Sequence, residues 1–386
     1  MSYKFPLAID SWDEQEKEAI NKVVQSGFFT MGKKVKKFEE EFSNYIGSKY
    51  TVMVNSGSSA NLLMIASLFY TKDQSKKLKR GDEIIVPAVS WSTSYYPLYQ
   101  YGLKIKFVDI DLETLNYDLE KLKDAISDKT KVILAVNLLG NPNDFKSIKS
   151  MICSKEIIVI EDNCESLGAE FENKKTGTIG VLGTFSFYFS HHISTMEGGM
   201  VVTDDQELYH ILLSLRAHGW TRDLPEKNFI INKSKNNFDE SFRFVLPGYN
   251  LRPLEMSGAI GSVQLKKFPN FLKQRRENAK FFIEKLKNYD DIIIQKEIGS
   301  SSWFGFSMVI KKGSSRTRDN LLIELNSLGF ECRPIVAGNF VKNEVIKYFN
   351  TEVNEEFRNA DLIDSHGLFI GNHHLDMRKA ICSIKI

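Results

Sequence analysis

The chain has 386 residues, 42% of them hydrophobic and 26% charged, enough to bury a sizeable core without disulfide or metal staples. Lys and Arg total 51 against 49 Asp and Glu, a formal charge of +2 that excludes the basic footprint of a nucleic-acid binder. Four scattered cysteines (Cys153, Cys164, Cys332, Cys382) without CxxC spacing argue against a disulfide framework, a zinc site or an iron–sulfur cluster. The N-terminus, MSYKFPLAIDSWDEQEKEAI, has no apolar leader and no run approaches a membrane span, so the expectation is a cytoplasmic protein.

Apolar residues at helical spacing (Ala19, Ile20, Val23, Val24) predict a helix over 13–25, then a turn at Gly27 and a second helix over 33–46. A strand-then-helix rhythm follows. YTVMVN (50–55) reads as a buried strand and ANLLMIASLFY (60–70) as a helix. EIIVPA (83–88) is a strand, SYYPLYQYG a helix interrupted at Pro97, and KIKFVDI (104–110) a strand. DLEKLKDAI (118–126) is a helix, and KVILAVNL (131–138) and EIIVIED (156–162) are strands. Short Val/Ile runs alternating with amphipathic helices predict an α/β fold whose mostly parallel sheet is covered on both faces. The Lys- and Asn-rich stretch 226–237 reads as a loop. After about residue 250 the pattern changes to a long helix (257–288), the strand WFGFSMVI (303–310), a helix over 316–328 and a short ECRPIV strand. The expected organisation is a large domain, 1–250, and a smaller α+β domain, 251–386.

Five segments carry candidate chemistry. NSGSSANLL (55–63) puts small residues at a strand-to-helix turn, where free backbone N–H groups and the helix dipole can cradle a phosphate, although such turns also simply cap helices. It matches neither the dinucleotide nor the P-loop pattern. IIVIEDNCES (157–166) ends a buried strand in acid; Asp162 there can hold a protonated ring nitrogen or merely cap the next helix. Trp91, just past a strand end, can stack on a flat ligand or sit in the core. In GTFSFYFSHHISTMEGGM (183–200), Ser186 and two adjacent histidines follow an aromatic strand. Neighbours on extended chain point opposite ways, so only one of His191 and His192 faces any one pocket, which speaks against a two-histidine metal site. RAHGWTRD (216–223), PGYNLRPLEMSGAIG (247–261) and Arg333 add loop cations and rings suited to anions.

Taken in order, GDEIIVPAVSWST, VNLLGNP, EDNCES, SHHISTMEGG, RAHGWTR, FVLPGYNLRPLEMSGAIG and ECRPIV resemble the DegT/DnrJ/EryC1/StrS family of aspartate-aminotransferase-like, fold-type I enzymes that act on nucleotide sugars. The likeness runs from about residue 5 to 374 and is strongest to the family's colitose-forming 3-dehydratase branch. It implies a homodimer using pyridoxal or pyridoxamine 5′-phosphate. Gly57, Ser58 and Ser186 would bind the cofactor phosphate, with Asn250 contributed by the other subunit. Trp91 would stack on the ring, Asp162 would pair with its nitrogen, and Glu165 would lie near its face and hydroxyl. Arg333 would receive the carboxylate of glutamate, later released as 2-oxoglutarate, while His218 and Arg222 would reach across the dimer to a GDP-linked keto sugar. His191 falls where the family's aminotransferases place the lysine that bonds the cofactor. An imidazole cannot make that bond, but titrating near pH 6.5 it can take and return a proton. The implied reaction is loss of the C3 hydroxyl from a 4-keto-6-deoxy sugar with ammonia released, without iron–sulfur cluster or reductase. A lysine-free sugar aminotransferase, a CDP- or dTDP-sugar dehydratase and a non-catalytic binding module stand as alternatives. The tail GNHHLDMRKAICSIKI departs from the family's closing helix.

Overall fold

The computed structural model describes residues 3–352 and 356–385. Two amphipathic helices come first, α1 (Glu14–Ser26) and α2 (Lys33–Ile46). Asp13 opens α1 with a capping box, its carboxylate taking the Gln15 N–H while Glu16 reaches back to the Asp13 N–H. Gly27 and Gly47 close the two helices in the left-handed conformation.

The strand–helix alternation then unrolls as β1 (Tyr50–Val54), α3 (Gly57–Tyr70), β2 (Glu83–Pro87), α4 (Tyr96–Gln100), β3 (Lys104–Val108), α5 (Leu119–Ala125), β4 (Thr130–Val136), α6 (Phe145–Ile152) and β5 (Ile158–Asp162). A tiny hairpin, β6 (Glu170–Phe171) and β7 (Lys174–Lys175), leads to β8 (Leu182–Ser186), β9 (Gly199–Thr203), α7 (Gln206–Arg216) and the short α8 (Asn237–Glu240). The main sheet has seven strands in the order β1-β9-β8-β5-β4-β2-β3. β9 is antiparallel to both neighbours and the other strands run one way. Val, Ile and Leu fill both faces of this sheet. Val52, Ile84, Val86 and Leu134 point to the α3 side, and Ile85, Ile133, Ala135 and Val159 to the α5–α6 side. Continuous apolar strands are what a sheet covered on both faces requires.

Helix α9 (Glu255–Leu286) crosses from the first layer to a second, four-stranded antiparallel sheet, ordered β10-β11-β13-β12. Its strands are β10 (Ile292–Ile294), β11 (Gly305–Ile310), β12 (Cys332–Arg333) and β13 (Gly367–Gly371), and α10 (Arg318–Ser327), α11 (Arg358–His366) and α12 (Arg378–Ser383) accompany them. Phe282 and Phe306 stack at 4.3 Å in its separate core. The N-terminal segment also belongs here: Phe5 exchanges backbone hydrogen bonds with Gly329 and Glu331, and the Leu7 N–H donates to the Glu331 carboxylate at 3.0 Å.

One expectation is corrected and two open points are resolved. Pro97 does not interrupt α4 but occupies its first turn, where the missing N–H costs nothing. Asp162 caps no helix; its carboxylate accepts from the Cys164 N–H at 3.1 Å in a turn. The atypical tail forms α12, burying Ala380, Ile381 and Ile384 in the second core. Among the described residues no helix is long and apolar enough to cross a membrane.

Candidate active site

The strands that run together all end at one edge of the main sheet, and the turns leaving them enclose a cavity of about 470 Å³. This is the edge where open α/β sheets gather ligands. Gly57 and Ser58 from the turn after β1, Trp91 after β2, Asp162 and Glu165 after β5, and Ser186 and His191 after β8 all line it. Arg333 closes the mouth from β12.

Gly57 starts α3, and the Ser56 hydroxyl caps that helix by accepting from the Ser59 N–H at 3.1 Å. The N–H groups of Gly57 and Ser58 belong to the first turn, which a helix leaves without internal partners. A Cβ on Gly57 would lie 2.5 Å from Ser186 Cβ and 2.8 Å from its hydroxyl, so only glycine lets that hydroxyl close over the helix end. The result is a small anion cradle of two N–H groups, a hydroxyl and a positive dipole end.

On the opposite side Asp162 Oδ2 accepts from Asn61 Nδ2 at 2.8 Å and from Ser94 Oγ at 2.7 Å. With the Cys164 N–H on Oδ1, three donors fix the orientation of the carboxylate. Trp91 is 58% exposed and so is no core residue; its indole is left beside the cavity. Glu165 Oε2 accepts from the Leu139 N–H at 2.9 Å, and Leu139 is held in a left-handed conformation (φ 48°) to present that group. Burial pushes the Glu165 carboxyl up to about 7.

Only one of the adjacent histidines enters the cavity, but the extended chain expected there is not found: the segment is a turn in which the His191 N–H donates to the Tyr188 carbonyl at 2.9 Å. His191 lines the cavity, its ring edge-on to Phe304 at 5.3 Å and to Tyr188 at 5.9 Å. His192 points back into the core, where its Nε2 meets the Ser302 carbonyl at 3.2 Å. The expected titration of His191 near pH 6.5 is corrected: burial, and next the positive charge of Arg275, push it down to about 4. No lysine among the described residues lines the cavity.

A flat phosphorylated pyridine fits these walls, with a cradle for the phosphate, an indole for the ring face and an oriented carboxylate for the ring nitrogen. His218, Arg222 and Asn250 do not join this cavity within one chain. They form a second cluster, in which Ala217 bridges Asn250 and the left-handed His218 (φ 62°) packs on Trp220 at 5.1 Å. Arg222 lies 4.3 Å over the Trp220 ring. Sequence reasoning missed the roles of Asn61, Ser94 and Phe304, which support Asp162 and His191 from distant elements; Asn61 stands inside the NSGSSANLL segment, but nothing local shows which side chain it meets.

A seven-stranded, nearly parallel sheet with its cavity at the strand ends and a small second sheet behind is the aspartate-aminotransferase-like arrangement. The chain belongs to the DegT/DnrJ/EryC1/StrS aminotransferase family, whose model matches residues 10–380. It is 60% identical to the GDP-4-keto-6-deoxy-D-mannose 3-dehydratase of Escherichia coli O55:H7, over 97% of this chain and 96% of that one. The solved E. coli GDP-4-keto-6-deoxy-D-mannose-3-dehydratase with bound hydrated PLP superimposes with a TM-score of 0.97 at 58% identity, covering 99% of this chain and 98% of that one. A structure of GDP-4-keto-6-deoxymannose-3-dehydratase with a trapped PLP-glutamate geminal diamine gives 0.96 at 59% identity, covering 98% of each.

Proposed function

We propose that this chain removes the C3 hydroxyl of GDP-4-keto-6-deoxy-D-mannose, giving GDP-4-keto-3,6-dideoxymannose, with pyridoxal or pyridoxamine phosphate as cofactor and glutamate as amino donor. The observation that carries the proposal is an imidazole, His191, on the wall of a cavity that no lysine among the described residues lines. Atoms balance: the keto sugar and glutamate give the dideoxy sugar, 2-oxoglutarate and ammonia.

Pyridoxamine phosphate, when bound, supplies the amine that engages the C4 ketone and a ring that accepts electrons. The first-turn N–H groups of Gly57 and Ser58, with the Ser186 hydroxyl, hold the phosphate. Asp162 accepts from the ring nitrogen, and Trp91 covers the ring face. With no covalent tether, these contacts alone keep the cofactor in place. His191 takes a proton from the carbon bearing the cofactor's amine, then delivers one to the departing C3 hydroxyl so that it leaves as water. A neutral imidazole suits the first step. Once protonated, it is a strong enough acid for the second. Glu165 stands at the ring's hydroxyl side, and Arg333 receives the donor's carboxylate. Asn250, His218 and Arg222 of a second copy complete the phosphate and nucleotide-sugar contacts.

The test is incubation with pyridoxal phosphate, glutamate and GDP-4-keto-6-deoxy-D-mannose, reading the dideoxy sugar and ammonia, with CDP- and dTDP-linked sugars in parallel. An accumulating amino sugar would instead identify an aminotransferase. Preferential turnover of a CDP or dTDP sugar would reassign the nucleotide.

A further inference from the structure

Arg275, on α9, is 4% exposed and lies behind the two histidines. No carboxylate among the described residues pairs with it, and burial alone draws its guanidinium down to about 10. Its Nη1 donates to the carbonyls of Phe304, at 3.2 Å, and Asn372. Its Nε has no partner among the described residues. A buried, uncompensated cation is expensive, and folds keep one only where it does something. A lysine on the helix surface or an apolar side chain at this position would fill space more cheaply.

What Arg275 holds leads straight to the cavity. The carbonyl it clamps belongs to Phe304, whose N–H donates to the Leu139 carbonyl at 3.0 Å. Leu139 in turn gives its own N–H to Glu165. The Phe304 ring abuts His191 at 5.3 Å and His192 at 5.6 Å. Asn372 locks the far side, donating to the carbonyls of Arg275 and Trp303.

We propose that Arg275, touching neither cofactor nor substrate, is a positioning residue for the base His191. It fixes Phe304 against the imidazole and sets an uncompensated positive charge behind it. The inference rests on the reading of His191 as the proton carrier. It adds a reason why that imidazole stays neutral at physiological pH in a cavity rich in acid. Asp162 and Glu165 line the same cavity as His191, together with Arg333 and, on the histidine's own segment, Tyr188 and Glu197. Behind it are His192 and Arg275. Burial and the Arg275 cation both disfavour a proton on the ring. Burial first and Arg275 second lower His191, and Arg275 is likewise the first charged group acting on His192 and His373.

The experiment follows the His191 ring by nitrogen NMR titration in cofactor-free protein, with His191→Asn providing the assignment, alongside dehydration rates. Arg275→Gln, which removes the charge, should raise the His191 midpoint by about one pH unit. Phe304→Leu should leave the midpoint in place while slowing dehydration about tenfold, because the imidazole loses the wall that aims it. An unmoved midpoint in folded Arg275→Gln overturns the charge role, and full-rate dehydration by Phe304→Leu overturns the clamp. Should Arg275→Gln not fold, Arg275→Lys carries the test. Its charge remains but its single ammonium cannot span both carbonyls, so the rate should fall about tenfold with the midpoint unmoved, and a full rate overturns the proposal. His191→Asn dehydrating at full rate would sink the base reading itself, whichever way Arg275 falls.

Discussion

At neutral pH His191 carries no charge, since burial and then Arg275 hold it near 4. Removing its proton-transfer capacity with His191→Asn should slow dehydration by about 10²–10⁴-fold, while the cofactor still binds and dialyses away. His191→Lys should instead retain the cofactor through dialysis as a persistent visible absorbance band, with dehydration lost. A variant that releases its cofactor as readily as the native chain would contradict the assigned position. The same imidazoles make stability depend on pH. His191 and His373 are both pushed down to about 4, and His192 is lowered as well. In the unfolded chain they titrate near 6.5, so protons favour unfolding as pH falls from about 6.5 toward 4. Thermal melts of cofactor-free protein should therefore drop between about pH 7.5 and about pH 5. His192→Asn should shrink the drop, and an equal drop would contradict this account. The position of His191 was legible because the words around it, SHHISTMEGG, are so specific. Its depressed titration was not. That depends on burial and on Arg275, which no local pattern connects to it.

Among the elements, most of the parallel strands were legible as short Val/Ile runs between turn residues, β8 as part of an aromatic stretch, and the long helix because its periodicity persists. The observed α9, Glu255–Leu286, differs from the expected 257–288 only at its ends. The antiparallel β9 and the short β10 and β13 were not foreseen, since a brief apolar run has the same look in either direction or in a helix. The turn after β1 shows why pattern alone could not separate cap from cradle: Ser56 does cap α3, and the cradle lies one residue on. Gly57→Ala should make this plain. In an open helix the change would stabilise by roughly 1 kcal/mol. Here the new methyl meets Ser186 Cβ at 2.5 Å, and the clash dominates. Displacing the hydroxyl or the helix end by that much should weaken cofactor affinity about 10–100-fold, the equivalent of about 1–3 kcal/mol. Equilibrium titration with pyridoxal phosphate checks it, and unchanged affinity would remove Ser186 and Gly57 from the phosphate site.

For the whole molecule, the sequence resemblance pointed to two copies sharing sites, and the separation of His218, Arg222 and Asn250 from the cavity accords with that proposal. If Asn250 serves the neighbouring copy's cofactor, mixing two inactive variants, His191→Asn and Asn250→Ala, should restore activity. Each hybrid dimer regains one intact site, so random exchange should return about a quarter of native activity. Mixtures as inactive as their parents would place Asn250 in its own chain's site or outside any site.

The strap formed by the first residues has a reach out of proportion to its size. Glu331 holds the Leu7 N–H with one oxygen and the Arg333 guanidinium, at 3.1 Å, with the other. Anything that tugs on the amino end, such as a fused tag or a clipped leader, is thereby relayed to the arginine proposed to greet glutamate. Deleting residues 3–7 should accordingly raise the KM for glutamate several-fold and leave the keto sugar's KM alone, a fingerprint by which kinetics on tagged preparations can be told from those of the untouched chain.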